Sequence, residues 1–361
     1  MSQIATQQAL AKLQRQAILE GRELFKRLST DIGNMLLRSM DATGKIPSYQ
    51  QGELRRSVRA EVTRYFTVNE RAFADDGVTA LSPYAALINR HIALAVATPV
   101  LQHHRFLKAR LPQDVWLWMR NASGASYPVA EQQLDVLFRP SIEVDPQRRW
   151  VPPHKWNSPD GYQLSDRIWR VGQATRDKID RILAMELAQG TSPVRLSQML
   201  ESYLLPERLG VTTDKPYGRN VSYDAMRLAR TEISAAFNNA SYVSAFMNPY
   251  VAGMDWRLSP RHPKVDICDS YATIGTGGQR LRPAYPIEDA PVPPAHPNCL
   301  CTASPAVRDD NATVIEALRE KMRAGAIPPR NPSQVRELII YLIGSKLASD
   351  IGMWIEAELL S

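Results

Sequence analysis

The sequence predicts a mainly α-helical protein with a small β-rich module, an α+β chain whose long helices support a lobe containing cysteine and histidine. Apolar residues recur every three or four positions along most of the 361 residues, which is the spacing of a buried helix face. Between residues 251 and 305 this pattern stops and prolines become frequent. All 3 cysteines of the chain also fall within this stretch.

The N-terminal region, residues 1–120, is predicted to be helical. We expect one long helix or two from residue 3 to about 40, another from about 50 to 65, and a third from about 83 to 104. The third is the most apolar and should be buried. The His103–His104 pair at its predicted end is expected to bind helix carbonyls, as cations do at a helix C-terminus.

Residues 121–163 are rich in proline and tryptophan and are predicted to form an extended strap anchored by its tryptophans. Residues 164–306 form the next predicted domain. Its helices are expected at about 165–189, 194–204 and 222–247. Pro193 suits the first turn of the middle helix, because the N–H that proline lacks has no partner there.

The β-rich module, residues 251–305, closes that domain, and Met254 to Leu258 alternate in it like a short strand. The C-terminal region, residues 307–361, is predicted to contain two helices, at about 312–324 and 333–360. The last helix has a wide apolar face. That face packs on the body of the protein or docks on a partner.

The net charge of +7 is compatible with an acidic partner such as nucleic acid but does not identify one. The first ten residues are polar, so no signal peptide is expected. The longest apolar run, Ile92 to Leu101, is too short to span a bilayer and contains Pro99. We therefore expect a soluble protein made in a cytoplasm, without membrane contact, where thiols stay reduced.

Four soft donors in the module suggest a zinc site with three thiolates and one imidazole. They are Cys268, His296, Cys299 and Cys301. A closed tetrahedral set of four such ligands is typical of structural zinc, and the ion would contribute folding free energy to a module with few apolar residues. The alternative is a group of buried thiols beside a hydrogen-bonded histidine. Asp266 and His262 are further potential ligands.

Polar residues mark one part of the predicted helix 222–247. They are Arg230, Glu232, Asn238 and Asn239. Residues seven or eight positions apart share a helix face, so Arg230 lies with Asn238 and Glu232 with Asn239. We interpret them as structural groups that bind the backbone of the module. Catalytic use is the alternative, but no histidine or nucleophile is near them in sequence.

Several enzyme signatures are absent from the sequence, including His-Glu-x-x-His, Gly-x-Ser-x-Gly and Cys-x-x-Cys. The segment Gly275 to Gly278 lacks the Lys-Ser/Thr of a P-loop. We therefore expect a protein that binds other molecules and is not an enzyme.

An ordered set of residues resembles the phage Mu F-like family, the minor capsid or head morphogenesis proteins of tailed bacteriophages. The set is Ala229-Arg-Thr-Glu232, Asn238, Trp256, Asp266-x-Cys268 and His296-Pro-Asn-Cys299-x-Cys301. The resemblance covers roughly residues 160–305. This chain departs from the family pattern at Tyr271, where a second cysteine is common, and at Leu300, where arginine is common.

The resemblance implies a low-copy structural protein of the virion head, assembled in the bacterial cytoplasm. Such a protein would bind the portal or the major capsid protein and act in head assembly or genome delivery, and its positive charge would allow non-specific contact with packaged DNA. Two alternatives remain. One is an ADP-ribosyltransferase-like toxin in residues 1–150, which the predicted helices disfavour, and the other is a zinc-dependent nucleic-acid-binding protein.

Overall fold

The computed structural model describes residues 3–66, 82–121, 164–205, 221–260, 262, 265–273, 285–287, 290–296 and 299–326. Within them the helices are α1 (Gln3–Arg38), α2 (Ser48–Phe66), α3 (Pro83–Arg110), α4 (Gln113–Asn121), α5 (Leu164–Ala188), α6 (Pro193–Leu204), α7 (Val221–Phe246), α8 (Ile267–Thr273) and α9 (Asn311–Arg323). The strands β1 (Val251–Arg257) and β2 (Thr302–Val307) form a two-stranded antiparallel sheet. The predicted class, mainly α with a small β module, is confirmed.

The periodic apolar residues form the buried faces of the predicted helices. In α1, Leu28, Ile32 and Leu36 follow one another at intervals of four and are each 0% exposed, so the N-terminal pattern forms one continuous helix. At α6, the Ser192 hydroxyl accepts a hydrogen bond from the Arg195 N–H at 3.4 Å, and Pro193 occupies the first turn. This N-terminus combines a capping serine with a proline that needs no partner for its nitrogen.

Helix α3 continues to Arg110, beyond its predicted end near residue 104. The prediction that His103–His104 pairs with carbonyls at a helix end is therefore wrong, because both residues lie inside the helix. His103 is 1% exposed, with Nδ1 3.1 Å from Asn248 Nδ2, and His104 packs edge-on against the Trp116 ring. By length and composition α3 is also apolar enough to cross a membrane, but 75% of that apolar stretch is buried, as in the core helix of a globular protein.

The chain divides into two compact units that do not follow sequence order. The helical unit comprises Arg15–Asn89 and Tyr162–Arg230, and the mixed unit comprises Met1–Gln14, Arg90–Gly161 and Thr231–Ser361. The division of the chain at residues 120, 163 and 306 stays a prediction. The predicted strap, apart from Asn121, and the predicted helix 333–360 lie outside the described residues.

The helical unit is centred on the packing of α2 against α5. The two helices run in opposite directions, since Phe66 lies beside Gly172 and Arg55 lies beside Asp180. Phe66 also stands with its ring centroid 5.9 Å from that of Phe25 and 5.2 Å from that of Tyr84. Tilted aromatic contacts of this kind add to the free energy gained by burying the rings.

The mixed unit contains an apolar cluster that joins α3, α4, the start of β1 and α9. Its members are Leu107, Leu111, Val115, Trp116, Met119, Tyr250, Val314 and Leu318. Polar contacts surround this cluster: the Tyr250 hydroxyl donates to Asn311 Oδ1 at 2.7 Å, and Arg319 of α9 pairs with Asp114 of α4. The cluster thus packs α3 and α4 against the start of β1 and against α9.

The sheet pairs β1 with β2 from Arg257 opposite Thr302 to Val251 opposite Val307. The sequence indicated a strand only at Met254 to Leu258, so β2 and the short helix α8 were not predicted. We define the Cys/His lobe as β1, α8, β2 and the described residues between them. A backbone hydrogen bond, 3.1 Å long from Met254 N to Tyr285 O, connects β1 to the segment between α8 and β2.

Candidate metal centre

Helix α8 presents Cys268, and a reciprocal cap fixes where this helix begins. Asp266 Oδ1 accepts the Cys268 N–H at 2.7 Å, and Asp269 Oδ2 accepts the Asp266 N–H at 2.8 Å. Two backbone N–H groups that would otherwise lack partners are satisfied in this way, as in a capping box. The second position of α8, and with it the Cys268 side chain, is thereby held in place.

The other donors lie on the stretch that leads into β2. The Cys299 N–H donates to the His296 carbonyl at 3.2 Å, which closes a turn and brings these two side chains to the same place. Cys301 directly precedes Thr302, the first residue of β2. Its position therefore follows from the register of the sheet.

Cys268, His296 and Cys299 can hold a metal ion, since one ligand atom from each lies within 4.8 Å of the other two. Cys268 Sγ is 3.3 Å from His296 Nε2 and 3.6 Å from Cys299 Sγ. Zinc bond lengths of about 2.3 Å to sulfur and 2.0–2.1 Å to nitrogen give tetrahedral edges of about 3.6 Å for N–S and 3.8 Å for S–S. The spacing of these atoms therefore fits a tetrahedral ion at their centre.

Cys301, the fourth predicted ligand, lies beside this group but is not one of its three members. Its side chain packs in one buried cluster with those of Cys268 and Cys299 and is only 1% exposed. The structure thus brings three predicted ligands to metal-binding distance and places the fourth in contact with two of them.

The three sulfurs share protons unequally. Hydrogen bonds from Cys268, then from Cys301, hold the pKa of the Cys299 thiol well below its usual range, and the backbone N–H groups of Cys301 and Ala295 act in the same direction. The hydrogen bond to Cys299, a second to Cys301 and burial raise the pKa of Cys268. Cys299 is therefore the sulfur that most readily carries the negative charge that a metal ligand needs.

Aromatic residues pack beside the centre. The Trp256 ring stands 4.6 Å from the Tyr271 ring, and the Tyr285 hydroxyl donates to the Tyr271 carbonyl at 3.0 Å. Trp256 packs in one apolar cluster with the three cysteines, which are 0–1% exposed. Burial of the sulfurs suits a structural ion more than one that must admit a substrate, while the His296 side chain is 35% exposed.

Asp266 connects the sulfur-rich centre to a second group of potential ligands, His262, Asp266 and Asp269. Asp266 Oδ2 is 3.2 Å from His296 Nε2, while Asp269 Oδ2 is 2.9 Å from His262 Nε2. The hydrogen bond from the Asp266 N–H, then the one from His262, lowers the pKa of Asp269. Sequence reasoning named Asp266 and His262 but missed Asp269, although its position three residues after Asp266 is that of a capping box.

Helix α7 places Asn238 against the lobe. The fully buried Asn238 side chain donates through Nδ2 to the Cys301 carbonyl at 3.4 Å and accepts the Ala303 N–H on Oδ1 at 2.9 Å. Asn239 instead donates to the Ala235 carbonyl of its own helix. Glu232 is 1% exposed within the mixed unit, and Arg230 belongs to the helical unit.

Comparison of the chain with family models, with curated proteins and with solved structures found no match. The resemblance to Mu F-like proteins stays a prediction from the ordered motif. The function of the chain is therefore proposed from that motif together with the geometry of the centre.

Proposed function

We propose that this chain is a minor structural protein of a tailed-phage head, which binds the portal or the inner capsid and carries a structural zinc ion in its Cys/His lobe. The observation that carries the proposal is the convergence of the ordered motif on one centre. The converging residues are Asn238, Trp256, Asp266, Cys268, His296, Cys299 and Cys301. They span more than sixty positions of sequence, so their meeting supports a common role for the motif.

The donors favour zinc over harder cations. Thiolate and imidazole suit zinc, whereas calcium and magnesium prefer oxygen ligands. The deep burial of the three sulfurs favours a structural role for the ion over a catalytic one. A binding role for the whole protein agrees with this, and the net positive charge allows non-specific contact with packaged DNA.

Metal analysis tests the zinc part of the proposal. Protein prepared without chelator should contain about one zinc ion per chain, measured by mass spectrometry of the metal against the protein concentration. A content below about a tenth of one ion per chain would remove zinc from the proposal.

Localisation tests the structural part. Virions made by the genome that encodes this chain should contain it after gradient purification, and an antibody against it should retain the portal or the capsid protein from disassembled heads. Heads that lack the chain, or a purified chain that transfers ADP-ribose from NAD, would contradict this part even if zinc is present.

A further inference from the structure

Helix α7 holds the Cys/His lobe at two points on one of its faces. Asn238 and Tyr242 are four residues apart, so they lie one turn from each other. Asn238 binds the backbone of Cys301 and Ala303, and the Tyr242 hydroxyl donates to the Ile287 carbonyl at 2.6 Å. Ile287 precedes His296 in the chain, so the two contacts bracket the stretch that carries three of the four candidate ligands.

The Asn238 amide is itself firmly oriented. Its Nδ2 also donates to the Ser234 carbonyl at 2.8 Å, and its Oδ1 takes the Ala303 N–H. The amide thus links the Cys301 carbonyl and the Ala303 N–H of the lobe to the Ser234 carbonyl of α7. Because these are the backbone groups of Cys301 and Ala303, the amide fixes the direction in which the Cys301 sulfur leaves the chain.

We propose that Asn238 is a positioning residue of the metal centre: it holds Cys301 beside Cys268 and Cys299 so that four donors can surround one ion. The inference rests on the proposed zinc site. Groups that orient metal ligands contribute to affinity without touching the ion. The coupling is reciprocal, so a bound ion also strengthens the docking of the lobe on α7.

The test compares Asn238→Ala with Asn239→Ala. Asn239 is the matched control, since its side chain bonds within its own helix. Asn238→Ala should weaken cobalt(II) and zinc binding by about 10–100-fold in competition with a chromophoric chelator, and it should change the sulfur-to-cobalt absorption band. Asn239→Ala should bind within about twofold of the wild type and leave that band unchanged. Equal affinity and an unchanged band in Asn238→Ala would overturn the inference.

Two further measurements keep the inference testable. If Asn238→Ala does not fold, Tyr242→Phe removes one hydroxyl from the same face and should weaken the metal by about three- to tenfold. In the wild type, zinc should slow hydrogen exchange of the Ala303 amide, and an unchanged rate would contradict the coupling. A wild-type chain that binds no metal would instead reject the zinc site itself, whereas an Asn238→Ala variant that binds metal as tightly as the wild type would reject only the role of Asn238.

Discussion

Gly172 of α5 lies so close to Phe66 of α2 that a β-carbon at position 172 would stand 2.4 Å from the Phe66 Cβ. Real side chains do not approach one another this closely. The absence of a side chain at Gly172 is therefore what lets α2 and α5 pack at their present separation. This contact sets the spacing of the core of the helical unit.

Gly172→Ala should destabilise the protein, although alanine favours a helix over glycine by about 1 kcal/mol. Overpacking of this kind costs roughly 1–3 kcal/mol, so the net change in the free energy of unfolding should be unfavourable. Gly52→Ala in α2 is the control, because nothing lies within 4 Å of a β-carbon there, and it should stabilise by up to about 1 kcal/mol. Urea unfolding measures both, and a Gly172→Ala variant as stable as Gly52→Ala would show that the helices can move apart freely.

Asp180→Asn should lower stability at pH 7 and have no effect in strong acid. The hydrogen bond from Arg55, then the one from Arg59, lowers the pKa of Asp180 below its unfolded value of about 3.9. The ion pair therefore stabilises the fold above about pH 4, and this contribution is lost as the pH falls through the folded pKa. Since Arg55 is 39% exposed, solvent screening limits the effect to about 0.5–1 kcal/mol.

The control for that variant is Asp177→Asn on the same helix, whose carboxylate is 58% exposed and 3.7 Å from Arg176. It should change the free energy of unfolding by less than about 0.3 kcal/mol at any pH. A difference between wild type and Asp180→Asn that persists unchanged at pH 2 would mean that packing, not charge, explains the loss.

His103→Leu should make stability less sensitive to mild acid. Burial lowers the pKa of His103 to about 3, whereas an unfolded histidine titrates near 6.5. Between these values the unfolded chain binds a proton that the folded protein does not, so wild-type stability falls as the pH falls. From pH 7.5 to 5.5 the wild type should lose about 1.4 kcal/mol more than the variant. Parallel stability curves for the two proteins would contradict a neutral, buried His103.

Cys268→Ser should lose most of the bound metal, whereas His262→Gln should retain it. Cys268 Sγ contacts both other members of the sulfur-rich group, but His262 belongs to the neighbouring group with Asp266 and Asp269. Removing the metal should raise hydrogen exchange in β1, α8 and β2 while α2 and α5 keep their protection. Loss of metal from His262→Gln but not from Cys268→Ser would place the ion among the carboxylates.

Local patterns account for most of what the sequence predicted well. The interval of four between Leu28, Ile32 and Leu36 indicates a buried helix face, and Ser192 before Pro193 indicates the start of a helix. The end of α3 was placed too early, at the polar stretch Gln102 to Arg105 that interrupts its apolar pattern. The apolar cluster and the edge contact with Trp116 keep that last stretch helical, and neither contact is visible in local sequence.

The sheet and the centre depended on contacts between distant residues. Strand β2 contains Pro305, which argues against a strand, yet it pairs with Met254 some fifty positions earlier. Helix α8 has 7 residues, too few for a period to emerge. The donors were recognised because cysteines are rare in this chain, but only the fold shows that Cys301 lies beside the group of three and that Asn238 touches its backbone.

The contact between Asn238 and β2 also bears on self-association. The N–H of Ala303 and the carbonyl of Cys301 meet the asparagine amide instead of β1, so a side chain occupies the rim where another strand would attach. Pro305 offers no N–H further along. This side of the small sheet is thereby protected from pairing, strand to strand, with another chain.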